Sequence, residues 1–150
     1  MLEERLDRDL KTALLNGDSV AVSTLRSLKS AILYAKVAGG NRSDTLPEEA
    51  LLSVLQKEAK KRQESVEAYQ RAGNEQRAHT EAREKEIIEQ YLPAKLSEVE
   101  VVRLIDATIS ELGDAGNLSM GAVISTVRQK AAGAADGALI ARLTKERLGL

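Results

Sequence analysis

Apolar residues recur every three or four positions along almost the whole chain. That period belongs to helices packed by one face. Leu2, Leu6, Leu10, Ala13 and Leu14 share a face of a first helix, Leu2 to Leu15, which Asn16-Gly17 stops. Asp18 or Ser19 caps a second, with Ala21, Leu25, Leu28, Ile32 and Ala35 inward, and Gly39-Gly40-Asn41 ends it. Residues 39–45 form the most loop-like stretch. Pro47, Glu48 and Glu49 open a third helix, since proline suits a first turn and acids suit the positive end of the dipole. It runs to Ala72, with Gly73 as its stop. Its inner line, Leu52, Leu55, Ala59, Arg62, Val66 and Tyr69, alternates steps of three and four, a coiled-coil-like seam holding one charge. Helices two and three are placed to pair as an antiparallel hairpin.

Asn74 caps a fourth helix carrying Ala78, Ala82, Ile88, Tyr91 and Leu92, and Pro93 closes it. Ser97-Glu98-Val99-Glu100 has the capping-box pattern and starts a fifth, with Val101, Ile105, Thr108 and Leu112 on one side. A loop follows over residues 113–118. Ser119 caps a sixth helix (Met120, Val123, Val127 and Ala131 inward), and Asp136 caps a seventh (Leu139, Ile140, Leu143 and Arg147). The pattern predicts an all-α protein. A helical part with long helices occupies residues 1–92, and a small three-helix tail domain occupies residues 97–150. No internal repeat interrupts this order.

Composition narrows the chemistry. Aromatics are 2% of the 150 residues, so the cores must be built from Leu, Ile, Val and Ala. Without cysteine there is no disulfide and no thiolate metal site. The net charge of −1 is not that of a strongly basic nucleic-acid binder. Acids and bases alternate in MLEERLDRDLKTALL, unlike a signal or transit peptide, and no stretch has the length of a membrane span. These features place the protein in the cytoplasm, with no membrane partner.

Catalytic machinery is absent from the pattern. No nucleophile elbow, phosphate-binding loop or dinucleotide fingerprint occurs. His79, the single histidine, has Glu75 one turn before it, but a metal site needs three or four ligands. Glu81, Glu84, Glu86 and Glu89 read as a solvated face with basic neighbours at helical spacing. No catalytic residue, cofactor or metal is expected. Two basic clusters are the candidate sites. From Arg128 to Arg147 five bases (Arg128, Lys130, Arg142, Lys145, Arg147) face two acids (Asp136, Glu146), a local excess that suits phosphates. Lys57, Lys60, Lys61 and Arg62 form a second patch, which Glu58, Glu64 and Glu67 can neutralise.

An ordered set of short motifs resembles the YqeY-like proteins, the GatB/YqeY family. The set comprises Ser23-Thr24-Leu25-Arg26, the run from Lys60 to Tyr69 with Ala72-Gly73, and Tyr91-Leu92-Pro93 with Leu96-Ser97. Met120-Gly121 and Gly133 with Ala135-Asp136-Gly137 complete it. The resemblance implies a helical N-terminal part and a tail domain related to that of the tRNA-dependent amidotransferase B subunit. There the tail helps hold tRNA, and the carbon–nitrogen ligase chemistry lies in other domains. It marks Gly133, Asp136 and Gly137 as family-like turn residues. The family tail commonly has Lys or Arg where this chain has Ala122, Ala132 and Ala134. Two functions stand side by side. One is an accessory tRNA-binding protein, not catalytic by itself. The other is a helical module that docks a protein of the translation or tRNA-charging machinery without nucleic acid.

Overall fold

A computed structural model describes residues 1–39 and 45–150. Its regular elements are all helical: α1 (Leu2–Asn16), α2 (Ser19–Ala38), α3 (Glu48–Arg71), α4 (Glu75–Glu89), α5 (Glu98–Asp114), α6 (Met120–Ala131) and α7 (Gly137–Leu148). The protein is all-α, and the described chain forms two compact units, Met1–Leu92 and Pro93–Leu150.

Short polar side chains set the helix starts. The carboxylate of Asp18 accepts from the Ala21 N–H at 3.1 Å, and the side chain of Asn74 accepts from Arg77 N–H at 3.2 Å. Ser97 and Glu100 form the reciprocal capping box, at 3.2 and 2.7 Å. Ser119 accepts from Ala122 N–H at 3.1 Å, and Asp136 from Ala138 N–H at 3.3 Å. Each bond satisfies a donor that the first turn leaves without an intrahelical partner.

The ends of α4 and α5 differ from expectation by more than one residue. α4 stops at Glu89, and the N–H groups of Tyr91 and Leu92 turn back to the carbonyls of Ile88 and Glu89. Pro93 has no N–H to bond the Glu89 carbonyl and its ring crowds that carbonyl, which accounts for the early stop. α5 runs through Gly113 to Asp114, and Gly116, at φ 73°, makes the stop instead. α6 is capped by Ala132, a left-handed alanine at φ 47°, with Gly133 left-handed after it. The glycine run expected to end α2 lies, beyond Gly39, outside the described residues.

In the first unit α1 packs along α2, α3 along α4, and α2 lies chiefly against α1 and α4 and less against α3. Its core holds Leu6, Leu25, Leu28, Ile32, Leu55 and Ile88, with Tyr91 at the edge. The α3 seam starts on Leu51 rather than Leu52, then continues through Leu55, Ala59 and Val66 as expected. In the second unit α5, α6 and α7 bury Val101, Ile105, Val123, Val127, Ile140 and Leu143 against one another. The Leu96 N–H donates to the Ala134 carbonyl at 2.8 Å, tying the segment before α5 to the α6–α7 turn.

Candidate nucleic-acid interface

The five bases from Arg128 to Arg147 do not form one open cationic face. α5 supplies acids to three of them. Lys130 lies 2.9 Å from Glu111 and also reaches the Thr108 hydroxyl at 3.3 Å. Arg142 bridges Glu98 at 3.0 Å and Glu146 at 3.2 Å. Arg147 grips Asp106 with both ends of its fork, at 2.8 Å each, which raises its already high pKa. From Pro93 to Leu150 there are seven bases and seven acids, so the local excess near the C-terminus is cancelled within the unit. The sequence count missed this because the α5 acids lie 19–44 residues away along the chain.

Arg128 and Lys145 are the exceptions: both are exposed and make no ion pair among the described residues. Arg128 leans on the start of α7. Its guanidinium carbon would stand 3.7 Å from a Cβ at Gly137, so the absent side chain leaves room for the approach. This puts a cation beside the positive end of a helix dipole, an arrangement that an incoming anion relieves. Asp136 occupies part of that end by capping α7. Ala122, Ala132 and Ala134 differ in setting. Ala132 is exposed, Ala122 is half-buried, and Ala134 is buried with its carbonyl engaged by Leu96.

The second basic patch is split. Arg62 lies in the α3–α4 interface, 2.9 Å from Glu84, 3.7 Å from Glu58 and 3.9 Å from Glu81. Lys61 pairs with Glu58 at 3.1 Å. Lys57 and Lys60 face solvent without an ion pair among the described residues. Arg62 staples two helices, so the patch does not present four free cations. Burial, followed by the charge of Glu81, raises the Glu84 pKa, and Arg62 opposes that shift.

His79 is exposed, and no group of three or more His, Asp or Glu side chains among the described residues is placed to hold a metal ion. The α3 seam packs against α4, so it is not open as a groove for a partner helix.

Two features escaped the sequence reading. Arg5 of α1 stacks over Tyr91, 4.5 Å from the ring centroid, while the Tyr91 hydroxyl donates to Asp9. Burial is the main cause that pushes the tyrosine pKa up, with Asp9 adding to it. The second is an exposed apolar stripe on α2, Leu33, Tyr34 and Val37, at 63%, 77% and 73% exposure. Its only sequence signal was that α2 contains no acid over its 20 residues.

A family model for the YqeY-like protein matches residues 3–148. The chain belongs to the YqeY-like family. Two fungal relatives share the name "Altered inheritance of mitochondria protein 41, mitochondrial". The Pyrenophora tritici-repentis protein is 27% identical over 153 residues, covering 97% of this chain and 80% of the relative. The Meyerozyma guilliermondii protein is 36% identical over 87 residues, covering 58% of this chain and 44% of the relative. Both names carry a mitochondrial designation, which overturns the cytoplasmic placement. The physical reason is that targeting segments are separable from the fold, so mixed charge near an N-terminus does not fix a compartment. Among the described residues no helix is long and apolar enough to cross a membrane.

Proposed function

We propose that this YqeY-like protein is a non-catalytic accessory factor that holds the phosphate backbone of a tRNA at the α6–α7 turn of its tail. The observation that carries this reading is Arg128, exposed and without an ion pair among the described residues, set against Gly137 at the start of α7. Lys145 is the other base between Arg128 and Arg147 that makes no ion pair among the described residues. Lys130, Arg142 and Arg147 enter the contact only by exchanging a carboxylate for a phosphate. Exposed ion pairs are worth about 0–1 kcal/mol, so that exchange is cheap. The resemblance to the amidotransferase tail supplies tRNA as the polyanion. With no aromatic after Tyr91, recognition rests on backbone and shape rather than on stacked bases.

The test is fluorescence anisotropy of the full chain with total tRNA at low and near-physiological salt. Saturable binding that weakens with salt is expected. Arg128→Glu with Lys145→Glu should weaken it further and flatten the log–log salt slope by about two. Absence of binding at low salt, or a double variant that binds like wild type, removes this reading. The protein-docking function then stands.

A further inference from the structure

The outer face of α2 departs from the rest of the surface. Ser23, Arg26, Ser30, Leu33, Tyr34 and Val37 follow one another at helical spacing, and all are exposed. α2 has three bases. Lys29 and Lys36 turn toward α1, where they meet Asp7 at 2.5 Å and Glu3 at 2.6 Å. Arg26 remains on the outer face with no ion pair among the described residues. The face is thus poor in charge, small in its first half, and apolar and aromatic in its second. Low charge with Tyr and Arg is the composition of an interface core.

The two halves complement each other. Turn a second copy of the face antiparallel about Ser30, and position 26 comes opposite 34, position 23 opposite 37, and 30 opposite itself. Arg26 then meets the face of Tyr34 from the other copy, and Val37 meets the small Ser23. Among the described residues this arginine–tyrosine pairing already occurs twice: Arg5 over Tyr91 at 4.5 Å and Arg77 over Tyr69 at 5.8 Å. Tyr34 is the third tyrosine and is 77% exposed. Cations are attracted to the ring quadrupole, so the pairing satisfies both groups. The two copies of Arg26 stand eight residues apart along the paired axes, about 12 Å, beyond the screening length at physiological salt.

We propose that this face is a homodimer interface, with α2 packed antiparallel on α2 of a second copy across Ser30. The proposal concerns the first unit and is independent of tRNA binding by the tail. One helix pair makes a small interface, so the dimer is concentration-dependent.

Sedimentation equilibrium from micromolar to millimolar chain is the first measurement. A mass rising from 16.2 kDa toward twice that value is expected. Tyr34→Glu and Ser30→Arg, both at exposed positions, should hold the protein monomeric while leaving its circular dichroism unchanged. The second measurement uses the absence of cysteine. At an interaxial distance of 8–10 Å, two Cα atoms on the contact line are about 4–5 Å apart, within disulfide range. Ser30→Cys should therefore cross-link to itself under mild oxidation at least about tenfold faster than Ser110→Cys, an exposed control on α5. A monomer at every concentration overturns the proposal. So does a dimer untouched by Tyr34→Glu, or equal cross-linking of the two cysteine variants.

Discussion

Tyr91 shows how one side chain can close a helical unit that is nearly free of aromatics. Its ring is buried, its hydroxyl donates to Asp9, and Arg5 covers its face while donating to the Gln90 carbonyl at 3.3 Å. Tyr91→Phe keeps the ring and removes the hydroxyl. It should lower stability at neutral pH by about 1–2 kcal/mol in urea denaturation, because Asp9 loses a donor. The folded tyrosine has a raised pKa, so the unfolded chain ionises first as pH climbs past about 10. The stabilisation is full below that point and lost above it. The gap between wild type and Tyr91→Phe should accordingly shrink in alkali. The bases of the candidate site were legible at this scale, since Arg128, Lys130, Arg142, Lys145 and Arg147 are plain in the sequence. Their availability was not. Whether Arg147 is free depends on Asp106, and only the packing of α5 against α7 brings the two together.

The helix is the scale at which the sequence spoke most clearly. Asn74, Ser97, Ser119 and Asp136 were each expected to cap, and each does, while of the two candidates Asp18 and Ser19 it is Asp18 that caps α2. Capping is local, needing only a short oxygen-bearing side chain three or four residues from an apolar face. The lateral pairing of helices was less legible. Nothing within α2 states that α1 and α4 are its main neighbours, and Leu51 and Leu52 fit the start of the α3 seam almost equally well. The α3–α4 pair carries a prediction of its own. Arg62 answers Glu58, Glu81 and Glu84 from a largely covered position. Arg62→Leu should destabilise the protein by about 1–2 kcal/mol at neutral pH, discounted for partial exposure, because Glu81 and Glu84 lose their cation and Glu58 keeps only Lys61. Adding Glu84→Gln should recover part of that loss. The sign with pH follows from the raised pKa of Glu84. Its proton is held more tightly in the folded state, so wild type loses ground to Glu84→Gln as pH rises above the unfolded value near 4.5. Paired denaturant melts on either side of that pH check the sign.

At the scale of the whole molecule, each of the two units has a core of its own. Ile140 is fully buried in the second. Ile140→Ala should cost that unit about 2–5 kcal/mol. Hydrogen exchange should then show protection lost over α5, α6 and α7, while amides of α1 to α4 stay as protected as in wild type. Uniform loss across all seven helices would mean that the units unfold together. The corner after α6 carries a different kind of consequence. Ala132 holds a left-handed backbone, exposed to solvent, where only glycine or asparagine is at ease. Alanine already bears that strain, and lysine would bear the same. Neither the backbone nor the core distinguishes the two. If the proposed phosphate contact holds, charge at this corner can be changed without retuning the fold, so binding and stability can be altered independently of each other.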